Sequence, residues 1–397
     1  MDRALVEIGL IVAGNIDEID RVSVTEAADQ LHAYLQQTHP DIHFQIIRLD
    51  LPEVASESRA QPSVLLQHAA DQRDLRHLDF VLLVTAADLE SFYSPRCLAA
   101  LSRPLDAAVV SLSLIDPRAV GESRSRDQRI QQVSHRLSRL LLHAMGHLTG
   151  LARSGRSNNL MRRPVEVNEL ESMEELDAWQ VQRQHDSLVE VADQRLEESP
   201  QKSHNAMMFT LRAAWINRFE IVQAIIAAKP WEFPRRLSGL TLASVSTLAI
   251  LFMSAESWDL ALSQDFGQIV FTAVLACLVT TVYVIVRQQL ISDGRRQRSE
   301  QMVVANSSAS GIVLLGMSIT WLSLGLLGIL IGYLLFDADL IATWASSTQS
   351  SADTVGWGER LQMSVFSASL GLIIGALGAS FESQHYFRHV IFVDEEI

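Results

Sequence analysis

The sequence predicts an α/β domain followed by an all-α domain of four transmembrane helices. Strand-like and helix-like segments alternate over residues 1 to about 160, which is typical of an α/β sandwich. Four long segments without a charged side chain after their first residue begin at residue 237, and each is long enough to cross a bilayer. The mean hydropathy of +0.15, with 20% charged residues, is the average of these two unlike halves.

The composition excludes several classes of protein. The chain has 397 residues, enough for two or more domains, and its formal net charge of −14 argues against a nucleic-acid partner. It has two cysteines, Cys97 and Cys277, which are too few for a disulfide framework or a cysteine-rich zinc site.

The α/β part begins with a strand. Residues 6–13 form a short apolar run closed by Gly14, and Glu7 interrupts the run without a basic region before it. This pattern favours a first strand over a signal peptide, so we expect the domain to stay in the cytosol. The same reasoning predicts the following elements: a helix at 24–37, a strand at 44–49, a helix at 62–75, strands at 80–84 and 107–114, and a long helix at 126–151.

Residues 165–200 are acidic and have helical periodicity, and a further helix is predicted at 205–228. The segment after it contains Trp231, Arg235 and Arg236, a combination of aromatic and basic residues that is typical of a membrane interface. The helix at 205–228 is therefore either a juxtamembrane helix that lies on the bilayer or an ordinary packed helix of the first domain.

Four spans are predicted at 237–255, 266–286, 311–336 and 363–381. The loops at 256–265 and 337–359 lack Lys and Arg, whereas arginines precede the first span and follow the second, among them Arg295, Arg296 and Arg298. The positive-inside rule therefore places the α/β domain and the C-terminus in the cytoplasm. The expected location is the inner or plasma membrane of a bacterium or archaeon.

Two of the predicted spans carry glycines four residues apart. Gly328 and Gly332 lie in the third span, and Gly371 and Gly375 lie in the fourth. This spacing allows close contact between helices, either within one chain or between two chains in a homo-oligomer.

The most informative motif is a pair of histidines near the end of the long helix. His143 and His147 are four residues apart, so both side chains project from one face and could share a metal ion. In zinc peptidases with this spacing, a Glu after the first His acts as general base, but this chain has Ala144 there. Gly150 follows the second histidine by three residues and Arg153 by six; an arginine does not ligate zinc.

Several stretches, in order, resemble the archaemetzincins, a branch of the metzincin zinc peptidases. They are the V-T-x-x-D-L pattern that contains Asp88, the strand at 108–112, the approach to the helix motif at 139–143, and Asn159-Leu160-Met161 at the position of the Met-turn. The resemblance covers about residues 5–180. It implies a mixed sheet with a long active-site helix, so we divide the chain into an archaemetzincin-like domain at 1–180, a helical linker at 181–236 and a transmembrane domain at 237–397.

The resemblance also shows what has changed. It assigns metal ligands to His143 and His147 with Met161 beneath them, the base to the position of Ala144 and the third ligand to the position of Arg153. No cysteine follows Arg153 in the first domain, so the second, cysteine-rich zinc site of the family is missing. Zinc is expected only if another group joins the two histidines. The candidates are His135, His185 and Glu166.

Three functions follow from these observations. The first is a catalytically inactive, metzincin-like module that binds, scaffolds or senses an unidentified protein or peptide at the bilayer. The second is an active membrane metallopeptidase with a non-standard zinc site. The third is a transporter or channel regulated by its cytosolic domain, which the absence of ionisable residues from the predicted spans disfavours.

Overall fold

The computed structural model describes residues 4–54, 58–93, 95–121, 124–192, 206–291, 299–344, 355–378 and 384–397. The chain forms two compact units. The first comprises Met1–Ala224, Gly294–Ala305 and Phe392–Ile397, and the second comprises Ile225–Asp293 and Asn306–Ile391. The first unit therefore contains not only the predicted α/β domain but also two short segments from later in the chain.

A six-stranded mixed sheet is the centre of the first unit, with strand order β2-β1-β4-β7-β6-β8. The first four strands of this order are parallel, and β6 pairs antiparallel with both β7 and β8. Two further short strands, β3 and β5, pair with each other. The strands are β1 (Ala4–Ala13), β2 (Ile42–Leu51), β3 (Arg59–Ala60), β4 (Phe80–Thr85), β5 (Asp88–Leu89), β6 (Ala99–Ser102), β7 (Ala107–Ser111) and β8 (Glu395–Glu396).

The helices of this unit confirm the predicted alternation of strands and helices. They are α1 (Glu18–Thr38), α2 (Pro62–Arg76), α3 (Arg126–Leu148), α4 (Ala178–Val191) and α5 (Ala206–Ile216). Apolar residues of α1, α3 and the sheet share one buried core, which includes Leu31, Val84 and Leu141. The mixed α/β class predicted for this region is therefore confirmed.

The prediction of continuous helix at 165–200 is wrong. A short 3₁₀ helix, Val167–Ser172, is followed by extended chain, in which the Glu174 amide donates to the carbonyl of Asn158 at 2.9 Å. The regular helix α4 starts only after Asp177, whose side chain forms a capping box with Gln180. Apolar spacing did not reveal this cap. The predicted helix break at 199–201 lies outside the described residues.

The predicted helix at 205–228 is divided at Asn217 into α5 and α6 (Arg218–Ala227). Large apolar side chains along both helices are exposed: Met207, Met208, Leu211, Trp215, Ile216, Phe219, Val222 and Ile226. Trp231 is also exposed, in a 3₁₀ turn at Pro230–Glu232. Arg235 and Arg236 lie in α7 (Phe233–Arg236). Contact of this region with a bilayer stays a prediction.

The second unit is helical. Its elements are α8 (Ser238–Phe252), α9 (Ala255–Leu262), α10 (Phe266–Arg287), α11 (Glu300–Leu334, which begins in the first unit), α12 (Ala338–Trp344), α13 (Trp357–Gly378) and α14 (Gln384–Phe392). Among the described residues, α10, α11 and α13 are long and apolar enough to cross a membrane. The helices α8 and α9, which meet at 87°, add a fourth candidate if the two together are one span.

The first predicted span, at 237–255, is not a continuous helix. It ends at Phe252, and Ser254 starts α9 by accepting a hydrogen bond from the Ser257 amide. The buried Trp258 side chain holds the bend, because its indole N–H donates to the Phe252 carbonyl at 3.0 Å. Residues 379–381 of the fourth predicted span, and Arg295, Arg296 and Arg298, lie outside the described residues.

The paired glycines make contacts within the chain. A Cβ at Gly375 would meet the Ser244 side chain and would lie 2.8 Å from the Leu240 carbonyl, both in α8. A Cβ at Gly328 would lie 3.1 Å from the Ser364 side chain of α13. These glycines thus allow α8, α11 and α13 to pack closely, as small residues do in membrane helices. Self-association of the chain stays a prediction.

Candidate functional site

The end of α3 is shaped by Gly150. The Leu151 amide donates to the Gly146 carbonyl at 2.9 Å, and the Gly150 amide donates to the His147 carbonyl at 3.0 Å. This is a Schellman motif, which requires a left-handed residue, and Gly150 has φ of 87°. The helix α3 therefore ends at Leu148, one residue after His147, and the chain continues towards Arg153.

His143 has the hydrogen bonding of a metal-ligating histidine. It is fully buried, and its Nδ1–H donates to the carbonyl of Leu160 at 2.7 Å. This bond fixes the tautomer and leaves Nε2 with a free lone pair. Within the described residues Nε2 has no hydrogen-bond partner.

The Asn159-Leu160-Met161 turn supports this part of the helix. The Asn159 side chain accepts a hydrogen bond from the Met161 amide at 2.8 Å, and it donates to Gln180 at 2.7 Å. Met161 is buried against Gly146, where a Cβ would collide with the methionine sulfur. The glycine between the two histidines therefore allows the turn to approach the helix.

The segment Phe392–Ile397 lies beside this site. It pairs with β6 as the edge strand of the sheet: the Asp394 amide donates to the Leu101 carbonyl and the Ile397 amide to the Ala99 carbonyl, both at 2.9 Å. Glu395 is only 4% exposed. A carboxylate is thus brought into the interior by strand pairing.

The two histidines and the arginine converge on the Glu395 carboxylate. Arg153 Nη2 lies 2.6 Å from Glu395 Oε1, and His147 Nδ1 lies 3.2 Å from Oε2. His143 Nε2 lies 4.0 Å from Oε1. The position where the resemblance expects a third metal ligand therefore holds a cation that pairs with an internal anion.

The charges of this cluster stabilise one another. Burial acts to raise the pKa of Glu395, but the hydrogen bond and charge of His147, with the charges of His143 and Arg153, lower it to about 2. For His147 burial acts to lower the pKa, but the carboxylates of Asp394 and Glu395 raise it above its usual value. Burial is the main reason why the pKa of His143 is lowered. We therefore assign a negative charge to Glu395, which pairs with the guanidinium of Arg153 at 2.6 Å.

The two acidic neighbours of Glu395 also have specific partners. The Glu396 carboxylate accepts hydrogen bonds from the Ser91 hydroxyl and from the amides of Phe92 and Tyr93, all at 2.9 Å. The Asp394 carboxylate accepts one from the Arg103 amide at 2.7 Å. Each of the three consecutive carboxylates therefore meets a hydrogen-bond donor or a cation of the first unit.

These residues do not fit a zinc site of the metzincin kind. Ala144 is fully buried and has no group that takes a proton. Arg153 contributes a fixed positive charge. Across the parts of the chain that the structure describes, no group of three or more His, Cys, Asp or Glu side chains is placed to hold a metal ion.

The candidate third ligands have other surroundings. His185 lies 3.4 Å from Asp41 and stacks on His39, and Glu166 precedes the 3₁₀ helix at Val167–Ser172. His135 lies two turns before His143 on α3, and burial is the main reason why its pKa is lowered. Asp88 lies in β5 and accepts a hydrogen bond from Ser113 at 2.6 Å.

The acidic segment at 394–396 was not predicted as part of the site. Its only signal in the sequence is an acidic run between apolar residues.

Comparison with known proteins finds solved structures that are similar to part of this chain. No protein-family model and no curated protein matches the sequence. Three crystal structures are similar to 44–47% of this chain and are covered over 98–99% of their own length. They are archaemetzincin from Methanopyrus kandleri (17% identity, TM-score 0.36), a zinc-dependent peptidase from Methanocorpusculum labreanum (16%, 0.36) and archaemetzincin from Archaeoglobus fulgidus complexed with malonate (14%, 0.33).

Proposed function

We propose that the first unit is a catalytically inactive binding module held at a membrane by the apolar helices. The observation that carries this proposal is the convergence of Arg153 and His147 on the Glu395 carboxylate. A hydrolytic metal site needs a cation held by neutral or anionic ligands and a base beside it. Here a guanidinium supplies the positive charge, and the bound partner is an anion. This arrangement favours carboxylate binding over the activation of water.

The chain segments that make up the first unit support an even number of membrane crossings. Besides residues 4–192 this unit contains the beginning of α11, where Gln301 donates to the Leu78 carbonyl at 3.3 Å, and the strand β8. These segments are in one compact unit and so lie on one side of a bilayer. The chain must then return to that side before α11 and again before β8. The first return requires α8 and α9 together to act as one crossing beside α10, and α11 and α13 make the second.

A reporter at Ser263 tests this topology. Ser263 follows α9, and the chain between the first two crossings should lie on the side opposite to the first unit. With the first unit in the cytoplasm, a reporter that is active only there should be silent when fused at Ser263 and active when fused after residue 20. Activity at Ser263 with silence at residue 20 would mean that the orientation is reversed, and activity at both would exclude the crossing by α8 and α9.

Zinc content and peptide cleavage test whether the first unit is catalytically inactive. The wild-type protein, purified in detergent and equilibrated with zinc, should retain well below one equivalent after gel filtration, because a two-histidine site beside a guanidinium lacks a third ligand. The His143→Ala variant is the control and should retain the same amount. The wild type should also cleave no peptide substrate. A His143-dependent equivalent of zinc would contradict the proposal.

One observation favours the alternative, an active metallopeptidase. His143 is held through Nδ1 by the Leu160 carbonyl, and its buried Nε2 lacks a hydrogen-bond partner among the described residues. This is how metal-ligating histidines are usually held. The third ligand would then have to be Glu395, which would have to leave Arg153. The zinc measurement distinguishes the two functions.

A further inference from the structure

The groove between β6 and the end of α3 already contains an acidic peptide, which belongs to this chain. The segment Phe392–Ile397 adds to the sheet through main-chain hydrogen bonds at Asp394 and Ile397. Addition of a strand to a sheet edge is a recurring mode of peptide recognition, in which main-chain bonds give affinity and side-chain sites give specificity. The groove has both features.

The side-chain sites select for acidic residues. Glu395 meets Arg153 and His147, and Glu396 meets one hydroxyl and two main-chain amides. The Asp394 carboxylate accepts from the Arg103 amide, and its side chain is 1% exposed. Buried carboxylates are tolerated only where donors or cations meet them, so an apolar strand in this groove would leave these donors unpaired. The donor pattern matches the sequence Asp-Glu-Glu.

We propose that this groove is a binding site for an extended acidic peptide, and that the segment Phe392–Ile397 fills it as an internal ligand. This inference rests on the proposed function, since it treats the histidine helix as the wall of a binding site. The ligand class is a strand with consecutive carboxylates, the middle one held by Arg153. An external peptide of this class binds only when the internal segment leaves, because both need the same edge of β6.

The internal segment competes with an external peptide because it is part of the same chain. A ligand tethered by a short linker competes at an effective concentration of roughly millimolar. The intact protein should therefore bind an external peptide weakly, and weakening the internal segment should raise the apparent affinity. Whether the internal segment or an external peptide occupies the groove would then depend on how firmly β8 is held against β6.

The first test measures binding of a fluorescent Phe-Val-Asp-Glu-Glu-Ile peptide to the full chain in detergent, by anisotropy. The Glu395→Gln variant should bind this peptide at least about tenfold more tightly than the wild type, because its internal segment has lost a charge-assisted interaction with Arg153. Glu53→Gln, a change at an exposed residue of the same type, should behave like the wild type. A Phe-Val-Asp-Gln-Glu-Ile peptide should bind the Glu395→Gln variant at least about tenfold more weakly than the acidic one.

Adding Arg153→Gln to the Glu395→Gln variant should remove the preference for the acidic peptide. Equal binding of both peptides to Glu395→Gln, with Arg153 present, would overturn the proposal. So would equal affinity of the acidic peptide for the wild type and for Glu395→Gln. Deletion of residues 393–397 should give the largest increase in affinity, and the Glu395→Gln variant carries the test if the deletion does not fold.

The second test uses the unaltered protein. The amides of Asp394 and Ile397 donate to β6 and should be protected from hydrogen exchange. Excess unlabelled acidic peptide should raise their exchange rates, and the Gln-containing peptide should not. Unchanged exchange rates of these two amides at saturating acidic peptide would overturn the proposal that an external peptide displaces the internal segment. Protection that falls on dilution of the protein would mean that the strand comes from a second copy, which would overturn the internal assignment.

Zinc content, measured on the same preparations, separates this inference from the proposed function. Stoichiometric zinc with the expected peptide competition would contradict the inactive module but not the acidic-peptide groove. Absence of zinc without competition would contradict the groove alone.

Discussion

Arg153→His combined with Ala144→Glu should give zinc binding at least about 100-fold tighter than that of the wild type. The change removes a fixed positive charge and adds a ligand, and about 1.4 kcal/mol for each effect already corresponds to tenfold in affinity. The remaining ligands need no rearrangement of the helix, because His143 is already fixed through Nδ1 by the Leu160 carbonyl. Competition against a chromophoric chelator measures the affinity, and weak peptidase activity is expected from the added base.

Two single variants separate the contributions. Arg153→His alone should gain most of the zinc affinity, and it carries the test if a glutamate at the fully buried Ala144 position disturbs the core. Arg153→Gln removes the charge without adding a ligand and should gain about tenfold at most. A folded Arg153→His protein that binds zinc no better than Arg153→Gln would mean that the third-ligand geometry of a metzincin is absent.

Arg73→Met should lower the free energy of unfolding of the first unit by about 3 kcal/mol. The Arg73 side chain is 1% exposed and lies 3.0 Å from the Asp106 carboxylate, and it donates to the Leu105 carbonyl at 2.7 Å. Its loss leaves Asp106, whose carboxylate is mostly buried, without this cation. Burial already raises the pKa of Asp106 to about 6 against the opposing charge of Arg73. Hydrogen exchange of the β4 amides in increasing urea, on the full chain in detergent, measures the loss.

The control lies on the same helix. Arg76→Met removes a guanidinium three residues later, where the side chain is exposed and donates to the Gln72 side chain, one turn earlier on α2, at 3.3 Å. Changes at such surface positions usually stay within about 0.5 kcal/mol. Equal effects of the two substitutions would mean that the buried ion pair does not stabilise the unit.

The elements of the first unit were predictable where the apolar pattern along the chain is regular. The apolar stripe of α3 follows the helical period, and the apolar runs of β1 and β4 mark strands in the interior of the sheet, where all six residues of β4 are buried. The extended chain before α4 and the bend after α8 were not predictable in this way. Both depend on single polar contacts, the capping box at Asp177 and the hydrogen bond of Trp258, which leave the hydropathy pattern unchanged.

The candidate site divides in the same manner. The sequence by itself determined that His143 and His147 share a helix face, that Ala144 has no proton to exchange and that Arg153 follows the turn at Gly150, because helix geometry links residues a few positions apart. Only the tertiary structure decided what these residues face. Glu395 is separated from them by more than half of the chain and reaches them through pairing of β8 with β6. Pairing between distant strands depends on the whole arrangement of the sheet, and no spacing in the sequence records it.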